Sequence, residues 1–358
     1  MDPRIRAHAE TIVDHSLDIE AGDDVLISAP PAAEDLVVAL YAELGQVGAQ
    51  PARTGSSARA FRAYLHAADP DDFETPGHSL AALEAADHAI FLGASVNVAE
   101  TGDIPPESLA AYNRAHEPIG DAQLSMPFVY TRHPTSADAQ QAEMSTETYA
   151  DFLYGTVNKD WDEQRAIQQR VADRLEDADE VRIVAGESTD LSMSVAGMLA
   201  GNDFAEKNLP GGEVYTAPIP DSVEGEVTFD LPVVTQGREV IGARLVFEGG
   251  EVVEHEAEKN EDLLAAVLDT DAGARRLGEL GIGMNRDIDH FTGNMLFDEK
   301  MGDTIHLALG RALEWTVPEG RECNESAVHL DMLVDMSEDA RIEFDGEVVQ
   351  RDGVFWFE

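Results

Sequence analysis

Short apolar runs separated by stretches of helical periodicity fill the first half of this chain, and that alternation limits its folds more than any other feature. Ile5 to Leu17 carries apolar residues at helical spacing. A Gly-Asp-Asp turn then leads into Val25-Leu26-Ile27-Ser28, an apolar run of the kind a buried parallel strand shows. Glu34 to Leu44 reads as a second helix ending at Gly45, and Leu83 to Ala86 as the close of another. His88-Ala89-Ile90-Phe91-Leu92-Gly93 follows as the next strand. Strands alternating with helices favour a doubly wound, mostly parallel sheet, an α/β fold. No phosphate loop and no dinucleotide glycine fingerprint stands at these strand ends.

The texture changes after a polar helix expected at about 161 to 176. From Glu180 onward, short β-prone runs alternate with Gly and Pro turns: Val181-Arg182-Ile183-Val184, Gly225 to Phe229, and Val240 to Phe247. Leu263 to Leu268 reads as helix and Ala327 to Met336 as strand. The expected organisation is an α/β domain over 1–178 and an α+β domain over 179–358.

The chain has 358 residues, of which 43% are hydrophobic, enough for a substantial core. No window offers the ~18 consecutive apolar residues of a membrane span, and the start, Met1-Asp2-Pro3-Arg4, carries no secretory pattern. The expected location is therefore cytoplasmic, away from membranes. With Cys323 as its one cysteine, the chain can form neither an internal disulfide nor a four-thiolate zinc site. Any metal must use histidine and carboxylate ligands.

Acidic residues number 71 against 24 Lys and Arg, a formal charge of −47. Nucleic-acid binding through a basic face is thereby excluded as an expectation. The acids are dispersed among apolar residues in normal proportion, which argues against disorder. Lysine occurs only at 159, 207, 259 and 300. Such a surface suits a salt-rich cytoplasm, where repulsion is screened within about 3 Å at ~1 M. The alternative is an ordinary acidic protein of a low-salt cell.

Four segments stand out chemically. In Ala327-Val328-His329-Leu330-Asp331-Met332-Leu333-Val334, His329 and Asp331 are two apart and share one face of a strand. A metal would partner them, as would a hydrogen-bonded core pair or a solvent edge. His306 opens a small apolar run bounded by Gly310, and Glu299 lies upstream across a Gly turn. Together they suit Zn, Co or Mn, although His306 could simply pack and Glu299 be solvated. Glu213 stands at the edge of the Gly211-Gly212 turn, where the backbone can approach a neighbour closely. Glu279 is one acid among apolar residues and three glycines in Leu277-Gly278-Glu279-Leu280-Gly281-Ile282-Gly283. Each of these last two could equally be a turn or surface acid.

Taken in order, several stretches resemble the thermophilic metalloprotease family, the aminopeptidases called T and S. They are Gly186 to Ser192, Asn208-Leu209-Pro210-Gly211-Gly212-Glu213-Val214-Tyr215-Thr216-Ala217-Pro218, and Asp221 to Gly225. Leu277 to Gly283, Asn294 to Gly310 and Asn324 to Met332 complete the set, so the likeness covers roughly 180 to 345. The resemblance implies an aminopeptidase acting on short peptides through a co-catalytic pair of divalent ions (Zn, Co or Mn). It implies the ligands Glu213, Glu279, Glu299, His306, His329 and Asp331, and a homodimer. Glu213, on the Gly-Gly turn, is the expected proton carrier.

One position departs. Seven residues after the first histidine ligand, where the family usually has a Tyr, stands Leu313. Leucine donates no hydrogen bond to a developing oxyanion, and one lost donor can cost ~2.7–4 kcal/mol. Tyr215 could substitute if the fold brings it near, and Leu313 could otherwise be core on a helix running from His306 toward Trp315. A non-catalytic metal-binding relative is the alternative function.

Overall fold

Asp2 caps the first helix by accepting the backbone N–H of Arg4, and Pro3 occupies its first turn, where no N–H is needed. In the computed structural model, which describes residues 1–55, 57–235 and 238–358, this helix runs Pro3–Glu10 and continues in wider π geometry over Thr11–Ser16. Strand Asp24–Ser28 follows, then helix Glu34–Val47. The helix expected to stop at Gly45 runs three residues further, because Gly48, at φ 94°, supplies the left-handed cap that Gly45 does not.

Strands Gln50–Thr54, Asp24–Ser28, His88–Gly93 and Phe128–Arg132 lie side by side in that order, with the short segment Asn208–Leu209 at the edge. Every pairing is parallel, as the alternation of the first half predicted. Helices Ala58–Ala67, Pro106–Leu124 and Thr146–Val157 also belong to this part. The long one carries Pro118 within it, which obscures its helical pattern in the sequence.

The chain forms two compact units, one of Met1–Trp161 with Ala205–Gly211, the other of Asp162–Phe204 with Gly212–Glu358. No helix among the described residues is long and apolar enough to cross a membrane.

The second unit begins one residue into helix Trp161–Glu176 and is otherwise dominated by antiparallel strands. Eight of them form one sheet, in which Glu180–Ala185 lies between Thr189–Ser194 and Ala340–Phe344. A five-stranded sheet has the order His329–Asp335, Thr304–Gly310, Leu277–Gly283, Glu213–Thr216, Gly201–Asp203.

Alternation assigns the faces of the five-stranded sheet. Leu280, Ile282, Ile305, Leu307, Met332 and Val334 enter one apolar cluster with Ile183, Leu191, Phe247 and Phe344 of the eight-stranded sheet. Their neighbours one residue along, Glu279, Gly281, His306 and Asp331, therefore face the other way. A core that holds one face dry fixes the register, and so fixes which polar residues meet on the opposite face.

Candidate metal centre

Gly281 shows how the site is built. It lies opposite His306 on one side and Tyr215 on the other. A Cβ at Gly281 would stand 1.9 Å from Cε1 of the His306 ring and 2.1 Å from Nε2. The imidazole lies flat across the glycine, and only a missing side chain permits that. The ring so reaches the next strands: Nε2 is 3.4 Å from Glu279 Oε1 and 3.5 Å from Glu213 Oε2. Its other nitrogen, Nδ1, is 3.1 Å from the backbone oxygen of Glu299. A carbonyl only accepts, so Nδ1 donates and Nε2 is left facing the carboxylates.

His329 repeats the arrangement. Its Nδ1 donates to the Arg311 backbone oxygen at 2.8 Å, and Nε2 lies 3.4 Å from Asp331 Oδ1 and 3.6 Å from Glu279 Oε2. The two residues share a face, as their spacing predicted. The ligand-type atoms of Glu213, Glu279 and His306 fall within 4.8 Å of one another, and so do those of Glu279, His329 and Asp331. Glu279 belongs to both groups and offers a different oxygen to each histidine. The first group is closed off, with the His306 side chain only 2% exposed, while the His329 side chain is 26% exposed.

Glu213 is anchored. Gly212, at φ 122°, presses against Asn285, where a Cβ would stand 2.4 Å from the Asn285 Cβ. Gln168 on helix Trp161–Glu176 is fully buried and donates to the backbone oxygens of Glu213, at 3.1 Å, and Asp203, at 2.9 Å. The glycine turn thus serves close approach rather than looseness. Glu299 stands apart from both groups: its carboxylate pairs with the Lys300 ammonium. Lys300, which the sequence analysis counted without assigning a role, is fully buried among carboxylates.

The charges are mutually adjusted. Burial alone would lower the pKa of His306, but its hydrogen bond to Glu279 and the charge of Glu213 outweigh that and raise it to about 10. The same contest, with Asp331 as the main partner, lifts His329 to about 9. Burial pushes Glu213 and Glu279 up, tempered at Glu213 by Lys300. For Asp331 the bond to His329 and the nearby cations win over burial, and its pKa falls to about 2.

The donor set fits a divalent cation. It combines buried carboxylates with imidazole Nε2 atoms whose partner nitrogens are held by backbone carbonyls. Within it Glu213 Oε2, fully shielded, accepts no hydrogen bond.

The stretch after His306 is strand to Gly310 and not helix, because its alternate residues Ile305, Leu307 and Leu309 all enter the core. Leu313 is half-buried, just ahead of a short 3-10 turn, Glu314–Thr316. In that turn Trp315 Nε1 donates to the Tyr215 hydroxyl at 2.9 Å.

A sequence profile of the thermophilic metalloprotease (M29) family matches residues 1–355. The chain belongs to that family. Its M29 sequence is 39% identical over 149 residues to aminopeptidase T of Thermus aquaticus, an alignment covering 39% of this chain and 36% of the relative. The chain thus spans about a third of the length of the curated relatives it matches. The solved structure of wild-type AmpT from Thermus thermophilus superposes with a TM-score of 0.89 at 24% identity, over 99% of each chain. A dihydroxypyridine dioxygenase from Pseudomonas putida has the same fold at a TM-score of 0.64 and 14% identity, covering 99% of this chain and 97% of its own. An M29-like fold therefore carries more than one chemistry, and function must be argued from the site.

Proposed function

We propose that this M29 chain is a metal-dependent aminopeptidase that releases N-terminal residues from short peptides. The observation that carries the reading is the pair of donor groups joined at Glu279, each with a histidine Nε2 turned inward by a backbone carbonyl. Two divalent ions (zinc, cobalt or manganese) held by Glu213, Glu279, His306, His329 and Asp331 would, when bound, polarise a peptide carbonyl and activate a water near neutral pH.

The residues divide the remaining work. Glu279 spans the two groups and sets their separation. His306 and Glu213 form the closed side, which excludes bulk water and strengthens every charge interaction there. His329 and Asp331, more exposed, form the side that a peptide reaches. Glu213 is the proposed proton carrier, because burial raises its affinity for a proton. With Leu313 unable to donate, the Tyr215 hydroxyl, which already accepts from Trp315, keeps its own proton available for another acceptor.

The catalytic domain in this reading is 179–358, the protein works as a homodimer, and it is cytoplasmic. The charge of −47 with four lysines supports a salt-rich cell interior. Circular dichroism should then report loss of structure on dialysis from multimolar to millimolar KCl, as unscreened carboxylates repel. An unchanged spectrum would remove the salt-adapted reading.

Activity is tested by release of free amino acid from a dipeptide series in high salt, with added Co, Zn or Mn and then with chelator. The expected outcome is turnover that depends on metal. A folded, metal-loaded chain releasing no amino acid would leave a metal-binding protein without turnover.

A further inference from the structure

Strand His329–Asp335 carries two of the donor side chains and stands at the edge of the five-stranded sheet, paired with Thr304–Gly310 on one side and with no strand on the other. Along an antiparallel edge strand, every second residue points its backbone N–H and C=O away from its neighbour. The flanking bonds show which residues these are. Arg311 N–H donates to the Val328 oxygen at 2.7 Å, and Met336 N–H to the Asp303 oxygen at 2.8 Å, so bonds to the neighbour fall at even positions. Leu330, Met332 and Val334 share that parity, and His329, Asp331, Leu333 and Asp335 present their backbone groups outward. Asp335 bears this out: its N–H donates not to Thr304, its partner in the register, but to Asp230 Oδ2 at 3.3 Å.

The edge is closed at one end and open at the other. Asp230 occupies the Asp335 N–H, and Leu333 is fully buried. The backbone groups of His329 and Asp331 meet no hydrogen-bond partner among the described residues, and their side chains are 26% and 16% exposed. Two outward residues beside a donor group are a short template for an extended peptide.

We propose that the substrate docks as a sixth strand on this edge, antiparallel to His329–Asp335, with its N-terminal residue opposite Asp331 and its third residue opposite His329. The inference rests on the aminopeptidase reading and adds the mode of substrate binding to it. A paired backbone lies ~4.8 Å from the strand, which places it beside the group formed by Glu279, His329 and Asp331. Direction follows from the closed end. A free amino terminus can stop there, and the rest of the peptide leaves past His329, where the edge is open. In this register Asp331 accepts from the terminal amine and donates its N–H to the scissile carbonyl, and His329 exchanges both bonds with the third residue. The second residue turns its backbone groups away.

The test uses the metal-loaded full chain in high salt. Amide hydrogen exchange is read residue by residue with and without a ketomethylene analogue of leucylglycylglycine, which keeps the first carbonyl and lacks the scissile nitrogen. Saturating analogue should slow exchange at His329 and Asp331 at least tenfold and leave Asp335 unchanged. In a tetrapeptide substrate, an ester in place of the second peptide linkage removes the N–H that meets His329. It should lower kcat/KM roughly two- to tenfold, and an ester at the third linkage should leave it unchanged.

Unchanged exchange at His329 and Asp331 with the analogue bound overturns the inference. So does a second-linkage ester that costs no more than the third-linkage one. Slow exchange without the analogue that deepens with protein concentration would assign the edge to a second copy of the chain, and also overturns it. Each of these leaves the aminopeptidase reading standing where free amino acid is released. A metal-loaded chain that releases none removes both.

Discussion

Two histidines of this chain are equally buried and chemically opposite. His8, on the first helix of the N-terminal unit, is 0% exposed, and His306, in the C-terminal unit, 1%. His8 Nε2 pairs with the Thr131 hydroxyl at 2.9 Å, while its Nδ1 has no hydrogen-bond partner. Burial lowers its pKa to about 3, with His133 adding repulsion. Burial acts in the same direction on His306, yet Glu279 and Glu213 carry it to about 10. Burial of a histidine is therefore no sign of function. The sign is burial together with carboxylates, which makes a place for a proton or for the metal that displaces it.

The largest expected effect comes from removing what distinguishes the two environments. Glu279→Gln takes a carboxylate from both donor groups at once, so metal affinity should fall by more than the ~10–100-fold of an outer partner, and activity with it. Calorimetric titration with zinc or cobalt measures this. Retained affinity would mean that Glu279 is a structural acid.

Metal binding should also depend steeply on pH. In the metal-free protein His306 and His329, at about 10 and 9, hold their protons at neutral pH. A metal must displace them, so binding should release up to two protons and tighten as pH rises toward 9, by as much as ~100-fold per unit when both are released. Titrations in buffers of different ionisation enthalpy count the protons. Release of none would break the contrast with His8.

Leu313→Tyr probes whether the site obtains its carbonyl donor from elsewhere. If position 313 lines the peptide path, kcat should rise by tens of fold with KM little changed. An unchanged kcat in folded, metal-loaded protein would favour Tyr215, which Trp315 already holds in place.

The effect at His8 touches stability and leaves the metal centre alone. Its folded pKa is depressed, so its contribution to stability is complete above the unfolded value of ~6.5 and is lost as pH falls from there toward 3. The slope for one proton is about 1.4 kcal/mol per pH unit. His8→Gln should flatten the acid limb of a melting profile between those limits. A profile as steep as wild type would place the acid sensitivity elsewhere.

Period and punctuation were legible for some of the elements. The helix expected at 161 to 176 is Trp161–Glu176, and the strand expected over 88 to 93 is His88–Gly93. Helix Pro106–Leu124 was missed, because its apolar periodicity is weak and Pro118 interrupts it. Within the site, the pairing of His329 with Asp331 could be read from alternation alone. Three glycines beside Glu279 were visible as an anomaly, and the structure supplies a cause at Gly281, where the His306 ring needs the space. Lys300 and Asp203 gave no local signal, since a Lys and an Asp in an acidic chain read as solvated surface.

The alternation of strands and helices along the first half, the shared face of His329 and Asp331 and the chemical types able to bind a metal were determined by the sequence itself, because periodicity and residue chemistry are local properties. Which oxygen of Glu213 meets His306 and which meets Lys300 was decided only by tertiary structure. So was the placing of Glu279 between two histidines. The reason is physical: both depend on register across strands far apart in sequence, and that register is set by the apolar core on the opposite face of the sheet.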